Sequence, residues 1–183
     1  MKMTFSHKLS VSVAFGLIFS AAISAQQRRG QGSCAGPERG GTHQPAACRD
    51  HTPHKQLCVP VERGVALQVL DWGGADKSET MVLLTGYGDN AHVYDQFAFQ
   101  FTDYFHVIGI TRRGFLPSSQ PEEGYKVRSR ARDDIEVLKY LGISKAVFVG
   151  HSLAGSELSE IGLQYKSYVT KLVYLDSFDL GAC

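Results

Sequence analysis

Residues 148–157, Phe-Val-Gly-His-Ser-Leu-Ala-Gly-Ser-Glu, place a serine in a glycine-flanked corner directly after an apolar run. Gly150 stands two residues before Ser152, and Ala154 stands two residues after it. Small residues at both positions permit a sharp turn from a strand into a helix, from which the serine side chain projects alone. In another context such a serine would be only a helix N-cap, its commoner role at this kind of boundary. The surrounding sequence has to decide between a cap and a nucleophile.

Short apolar runs alternate with helical patterns on both sides of this corner. The segment 59–74 alternates apolar and polar residues around Arg63-Gly64, which predicts a β-hairpin. Buried strands are predicted at 80–86, 106–111, 145–150 and 171–177, and helices at 91–102, 127–141 and 153–166. The helix at 91–102 is expected because Val93, Phe97 and Phe101 recur at four-residue steps. This alternation is typical of βαβ units, so we predict an α/β fold with a mostly parallel sheet and a leading antiparallel hairpin.

The carboxyl ends of parallel strands meet at one edge of the sheet, where binding and catalytic residues collect. The segments at that edge are 85–89, 111–114, 150–152 and 176–177. Ser152 is thus predicted to lie beside a glycine-rich loop that follows another strand. The backbone N–H of Leu153, at a helix N-terminus, and that of Tyr87, in the glycine-rich loop, could together stabilise an oxyanion.

Composition is that of an ordinary globular protein with little tendency to bind nucleic acid. The 183 residues are 43% apolar and 20% charged, and the formal net charge is +1 with no long basic stripe. The arginines at 112–113 and those at 128, 130 and 132 are expected on solvated faces or on a helix surface. Asp133, Asp134 and Tyr125 are expected at the surface as well, and Trp72 is expected to pack.

The first residues have the layout of a secretory signal peptide. Lys2 and Lys8 precede an apolar run from Leu9 to Ile23, which small residues follow. We predict a signal peptide at 1–25, cleavage near Ala25, export to the periplasm or medium, and no stable membrane span afterwards; an uncleaved anchor is the lesser alternative. Residues 26–56 are rich in Gly, Gln, Pro and Arg and are predicted to form a disordered leader or linker.

Four cysteines, Cys34, Cys48, Cys58 and Cys183, suit an oxidising compartment in which one disulfide forms. The stretch 48–58 also contains His51 and His54 and could be a set of metal ligands, although its spacing matches no standard zinc pattern. A loop closed by Cys48 and Cys58, or free thiols, is the simpler interpretation. We therefore expect no metal.

Four segments in order resemble the α/β-hydrolase family, in the single-domain branch of esterases and lipases. They are the oxyanion loop "LLTGYGDNAHVYDQFA", the segment "HVIGITRRGFLPSS", the nucleophile elbow "VFVGHSLAGSE" and the following strand "KLVYLDS". The resemblance covers residues 57–179 and implies a partial α/β-hydrolase domain at 57–183, equivalent to the N-terminal half of that fold with its C-terminal strands missing. It implies that Ser152 is the nucleophile, that Tyr87 and Leu153 are the oxyanion donors, that the substrate is a small-molecule ester, and that no cofactor is needed.

The chain departs from the family pattern in several places. Thr85 replaces a histidine, and Leu116-Pro117 replaces a glycine of the Arg-Gly-x-Gly segment. Asp176 occupies a position that some relatives use for the triad acid, but ordering of the local loop is the favoured role. Asp89-Asn90 is expected only to cap the next helix.

The largest departure concerns the histidine of the triad. The family's chain order is Ser, acid, His, yet no histidine follows His151 in this sequence. His92 is a weak substitute and His106 opens a strand at the far edge. Two interpretations remain: a serine hydrolase of carboxylic esters, with a perhydrolase using the same serine, or a truncated or non-catalytic relative that lacks the base.

Overall fold

The computed structural model describes Cys34 and residues 53–177, and the predicted signal peptide lies outside this part of the chain, as does nearly all of the predicted leader. The strands are β1 (Lys55–Glu62), β2 (Val65–Gly73), β3 (Thr80–Leu84), β4 (His106–Ile110), β5 (Ala146–His151) and β6 (Val169–Leu175). The helices are α1 (Asp95–Ala98), α2 (Val127–Leu141) and α3 (Ala154–Gln164), and short 3-10 turns occupy Ala91–Tyr94, Phe99–Phe101 and Lys166–Tyr168.

The strands form one sheet in the order β1-β2-β4-β3-β5-β6. β1 and β2 make the predicted antiparallel hairpin, which turns through Gly64 at a φ of 78°, and β2 also pairs antiparallel with β4. The pairs β3–β4, β3–β5 and β5–β6 are parallel. The α/β architecture with a leading hairpin is therefore confirmed. The strand order reverses around β3, which has β4 on one side and β5 on the other, and such a point opens a crevice at the carboxyl ends of the strands.

Each face of the sheet is covered by its own core. All five residues of β3 are buried, as expected of a strand covered on both faces. Val82 and Leu84 point to the face that α2 and α3 cover, where Ile135 and Leu158 are also fully buried. Met81 and Leu83 point to the other face, against the 91–101 segment. Period-2 alternation thus divides one apolar run between two cores.

The segment 91–102 is helical but not the regular helix that its spacing suggests. It consists of a 3-10 turn, one turn of α1 and a second 3-10 turn. Val93 and Phe97 are 58% and 37% exposed, whereas Ala91, Tyr94 and Ala98 are buried, so the four-residue spacing of Val93 and Phe97 does not mark the buried face. A 3-10 turn advances about 120° per residue instead of 100°, which rotates the apolar positions away from a 3.6-residue pattern. Asn90 caps the segment as predicted, because its side chain accepts a hydrogen bond from the N–H of His92.

Two predicted surface groups are buried instead. Arg113 is 1% exposed, and its guanidinium donates two hydrogen bonds to the carboxylate of Asp133, at 2.6 and 2.7 Å. Glu62 on β1 lies 2.8 Å from the same guanidinium. These bonds tie the hairpin and α2 to the segment after β4. The prediction of a solvated face was wrong because charge alone does not show that an arginine has carboxylate partners within the fold.

Cys58 on β1 forms a disulfide with Cys34, and the Cα atoms of the two cysteines are 5.3 Å apart. The expectation of one disulfide was therefore correct, but the pairing of Cys58 with Cys48 was wrong. Sequence spacing does not reveal which pair of Cα atoms the fold brings within bridging distance. Within the described part of the chain, no helix has the length and apolar character needed to cross a membrane.

Gly109 in β4 makes room for Trp72 on the neighbouring strand. A Cβ atom at residue 109 would lie 2.5 Å from Cη2 of the indole and 2.7 Å from Cζ3. We expect Gly109→Ala to lower the free energy of unfolding by about 1–3 kcal/mol, because the buried ring has to move. Denaturant titration followed by Trp72 fluorescence measures this loss.

The matched control is Gly162→Ala in α3. There the added methyl meets only the flexible end of Leu172, 2.9 Å away, so the helix should gain up to roughly 0.5–1 kcal/mol. Equal effects of the two substitutions would contradict this account of the Trp72 contact.

Candidate functional site

Ser152 lies at the turn between β5 and α3, in a backbone conformation that favours glycine. Its φ is 52°, while Leu153 is already right-handed helical and α3 begins at Ala154. The Ser152 N–H donates to the carbonyl of Leu175 on β6, at 3.2 Å, and the Ser152 carbonyl accepts from the N–H of Gly155, at 3.0 Å. The sheet and the helix therefore hold both sides of the turn. A left-handed serine costs about 1–2 kcal/mol, so the surrounding bonds must impose this conformation.

The turn is sharp enough that the helix crosses directly over the strand. A Cβ atom at Gly150 would lie 2.9 Å from the side chain of Leu158 and 3.0 Å from the Cβ of Ala154. Ala154 and Leu158 are both fully buried. The small residues on either side of Ser152 are thus required by close packing of strand against helix, as the sequence predicts.

The predicted oxyanion loop lies next to this turn. Leu84 is opposite Gly150 in the parallel pairing of β3 with β5, so residues 85–88 leave the sheet beside Ser152. Gly86 packs against the ring of His151, and a Cβ atom at Gly86 would lie 3.0 Å from the ring's Nδ1. The structure therefore brings Tyr87 and Leu153 to adjacent strand ends, which their role as oxyanion donors requires. That role itself stays a prediction.

The side chain of Tyr87 is 80% exposed and meets Phe115 edge to face, with ring centroids 5.8 Å apart. Behind it, the Thr85 hydroxyl donates to the carbonyl of Asp89 at 3.2 Å, which closes the loop on itself. Threonine in place of the family's histidine thus still provides a hydrogen bond behind the oxyanion loop. Gly88, at a φ of 88°, supplies the left-handed residue in the turn.

Arg112 connects the oxyanion loop to the helix that follows Ser152. Its guanidinium donates to the carbonyls of Gly86 and Thr85, both at 2.7 Å, and donates twice to the carboxylate of Glu157 in α3, at 3.0 and 2.9 Å. Arg112 is 4% exposed and Glu157 is 1% exposed. The prediction of a solvated Arg112 was wrong. Its placement at a strand end was the signal that the sequence offered.

A second buried acid lies beside this pair. Burial, together with the negative charges of Glu157 and Asp133, raises the pKa of the Asp134 carboxyl well above its ordinary value. Arg130 faces Glu157 from α2, with 2.9 Å between its Nε and the carboxylate. The prediction that Asp134 lies at the helix surface was therefore wrong. Burial also raises the pKa of Tyr94 to about 12, so its hydroxyl remains a donor to the carbonyl of Leu84 at the end of β3, at 2.9 Å.

Asp176 follows β6 directly and has an exposed side chain and a φ of 41°. Because the preceding carbonyl, that of Leu175, accepts the Ser152 N–H, Asp176 lies at the strand end next to the elbow. This position is compatible with a triad acid and equally with a residue that orders the local loop. Both interpretations stay open.

The histidines considered as substitute bases lie elsewhere. His92 Nδ1 is 3.0 Å from Asp95, and its Nε2 is 3.2 Å from the carboxamide of Gln68 on β2. Gln68 is on β2, and two strands separate β2 from β5 in the sheet. His106 is at the opposite end of β4, 3.2 Å from Asp71. These contacts do not favour either histidine as the base for Ser152.

Loss of the Arg112 guanidinium should leave buried polar groups without a hydrogen-bond donor. We expect Arg112→Met to lower the free energy of unfolding by about 3–5 kcal/mol, because it leaves Glu157 with Arg130 as its remaining counter-charge and removes the donor from the carbonyls of Gly86 and Thr85. The control Arg128→Met removes an exposed pair with Glu160 and should cost under about 1 kcal/mol. Urea unfolding of both variants tests the expectation, and similar small losses would contradict it.

Strain at the elbow can be measured by comparing two substitutions that both remove the hydroxyl. We expect Ser152→Gly to be more stable than Ser152→Ala by about 1 kcal/mol, because glycine adopts a positive φ without strain. At Ser156, inside α3, the order should reverse, with alanine more stable than glycine by about 0.5–1 kcal/mol. Thermal unfolding of the four variants gives both differences, and the same order at both positions would refute strain at Ser152.

Comparison with known proteins gives relatives that are hydrolases. The chain is 32% identical over 108 residues to a bifunctional esterase/perhydrolase of Acinetobacter calcoaceticus, a match that covers 58% of this chain and 39% of that protein. It is 25% identical to epoxide hydrolase 3 of Mus musculus, covering 94% of this chain and 48% of the relative. A solved N-acyl homoserine lactone degrading enzyme superposes with a TM-score of 0.61 at 30% identity, over 68% of this chain and 45% of that one.

The chain spans less than half the length of each of these three proteins. Residues 79–182 match the family model described as the alpha/beta hydrolase fold, a range that includes the oxyanion loop, the elbow and β6. The elbow geometry, the order of the strands and this match agree, and the chain belongs to the α/β-hydrolase family.

Proposed function

We propose that this chain carries the nucleophile and oxyanion donors of a serine hydrolase that cleaves carboxylic esters. The observation that carries the proposal is the strained turn at Ser152, held by Leu175 and Gly155 beside the oxyanion loop. A serine that served only as an N-cap would occupy extended backbone and would not need a positive φ. A strained residue at a strand end is typical of a functional position.

The proposed reaction is acyl transfer in two steps. The Ser152 hydroxyl oxygen attacks the ester carbonyl while a base accepts its proton, and the N–H groups of Tyr87 and Leu153 stabilise the oxygen that becomes negative. Collapse breaks the bond to the alcohol, which leaves with a proton, and the acyl group stays on Ser152. Water then attacks the acyl-serine, releases the acid and restores the hydroxyl. No cofactor takes part.

Arg112 has a supporting role in this proposal. Its bonds to the carbonyls of Gly86 and Thr85 orient the peptide units from which the Tyr87 N–H projects. Because Glu157 is in the helix that begins at the elbow, the same guanidinium sets the distance between the two proposed oxyanion donors. Arg112 is thus a positioning residue.

The identity of the nucleophile separates this proposal from another branch of the family. Among the relatives are epoxide hydrolases. The family resemblance implies that their branch carries aspartate where this chain has Ser152. Serine favours acyl chemistry, and the names of the esterase/perhydrolase and the lactone degrading enzyme agree with it, since a lactone is a cyclic ester. Action on a peroxide in place of water would use the same serine.

The proton acceptor of the proposed reaction would be a histidine. The family order places it after the acid, and the 183 residues contain no histidine after His151. Without it the serine hydroxyl stays protonated, and loss of the base in such a triad costs on the order of 10⁶ in turnover. A non-catalytic relative that retains the elbow is the second candidate, because the contacts of His92 and His106 do not favour either histidine as the base. Export through the predicted signal peptide is part of the first proposal.

A fluorophosphonate probe and a short-chain activated ester distinguish the two candidates. We expect the folded 183-residue chain to be labelled slowly on Ser152 and to hydrolyse the ester feebly, by roughly 10³-fold over water, with both activities lost in Ser152→Ala. The control Ser156→Ala changes a serine one turn away whose hydroxyl donates to Leu153, and it should leave labelling unchanged.

Each outcome bears on a different part of the proposal. Absence of labelling in chain that is folded by circular dichroism contradicts Ser152 as nucleophile and favours the non-catalytic relative. Rapid turnover that Ser152→Ala abolishes contradicts the expected lack of a base and shows that a base is among the residues present.

A further inference from the structure

His54, His92 and Asp95 converge on one point from two separate parts of the chain. His54 immediately precedes β1, whereas His92 and Asp95 belong to the helical segment after β3. The Asp95 carboxylate lies 3.0 Å from Nδ1 of His92 and 3.9 Å from Nδ1 of His54. One potential ligand atom from each of the three residues lies within 4.8 Å of the others. Neither the hydrolase site nor the hydrophobic cores require two imidazoles at this carboxylate.

Buried groups behind the cluster orient it. The indole N–H of Trp72 donates to Oδ1 of Asp95 at 2.9 Å, and the carboxamide of Gln68 lies 3.2 Å from Nε2 of His92. Asp95 is 7% exposed and Gln68 is 1% exposed. Hydrogen bonds of this kind, to the far side of a histidine and to a carboxylate, are typical of metal ligands because they set the direction of the lone pairs. Gln68 serves either His92 tautomer, since rotating its amide exchanges donor for acceptor.

We propose that His54, His92 and Asp95 bind a divalent transition metal, of which zinc suits the donors best. Two imidazoles and one carboxylate with a water in the fourth position form a zinc site of ordinary composition. Zinc–ligand bonds of about 2.0–2.1 Å place tetrahedral ligand atoms about 3.3 Å apart. His92 Nδ1 lies 3.0 Å from Oδ2 of Asp95, His54 Nδ1 lies 3.9 Å from Oδ1, and one ligand atom from each residue lies within 4.8 Å of the others. Rotation of the side chains would therefore have to bring the three ligand atoms closer together when zinc binds.

The metal would be independent of Ser152. The site is on the side of the sheet order where β2 and β4 lie, away from β5. Bound zinc would join the residues before β1 to the helical segment 91–98, and so would fasten the start of the domain. The inference does not depend on the proposed hydrolase activity. It also differs from the set of ligands at 48–58 that the sequence suggested, because only His54 belongs to both.

Zinc binding by the 183-residue chain, prepared without a histidine tag and treated with EDTA, tests the site. We expect calorimetry to show one zinc ion per chain with an affinity that His54→Gln, His92→Gln or Asp95→Asn each weakens by at least about tenfold. The control is His106→Gln, which removes another histidine beside a carboxylate, Asp71, and should leave the affinity unchanged. Zinc should also raise the melting temperature of the wild-type chain but not that of His92→Gln.

Cobalt substitution keeps the test decisive if a variant fails to fold. The wild-type Co²⁺ complex should show a visible d–d band of tetrahedral nitrogen and oxygen coordination without a thiolate charge-transfer band. A thiolate band would assign the metal to a cysteine and overturn the proposal. Absence of binding at micromolar zinc, or equal binding by the cluster variants and the His106 control, would also overturn it.

Discussion

The bidentate pair of Arg112 with Glu157 is the interaction on which the geometry of the candidate site depends. One guanidinium occupies the space between the end of β3, the end of β4 and the first turns of α3. Two carbonyls of the oxyanion loop have no strand partner once the loop leaves the sheet, and Arg112 satisfies both. The planar fork of arginine makes all four bonds at once, which lysine could not do.

Burying the charges of Arg112 and Glu157 costs solvation free energy, and the groups around the pair reduce this cost. Glu157 faces two guanidiniums, those of Arg112 and Arg130, while burial favours the protonated form of Asp134. A protonated Asp134 leaves the two arginines opposite a single carboxylate. The pKa of Asp134 is higher in the folded chain than in the unfolded chain, so the unfolded chain loses this proton at a lower pH. The contribution of Asp134 to the free energy of unfolding is therefore present in acid and is lost as the pH rises above the ordinary pKa of an aspartate. The site thus carries polar burial that a core built only for stability would avoid.

Strain at Ser152 is maintained by the same surroundings. The turn is held by one hydrogen bond to β6 and one within α3, and Gly150 lets Leu158 and Ala154 pack directly on the strand. The helix is in turn attached to the oxyanion loop through Glu157. Elbow, loop and helix are therefore connected, so that movement of any one of them would change the distance between Ser152 and the proposed oxyanion donors.

The sequence by itself determined the elements whose signals are local. Period-2 runs and small residues around Ser152 were enough to predict the hairpin, the parallel strands and the elbow, since these follow from pleat geometry and backbone sterics. The α2 helix ends at Leu141, as its spacing predicted, and Gly142 caps it in the left-handed conformation. Tertiary structure alone decided what depends on partners distant in the chain. Arg112 and Arg113 look alike in a charge pattern, yet each is buried against an acid 45 or 20 residues away. The same holds for the Cys34–Cys58 bridge and the inward face of the 91–101 segment, because pairing of distant groups depends on how the elements pack and not on the residues that flank them.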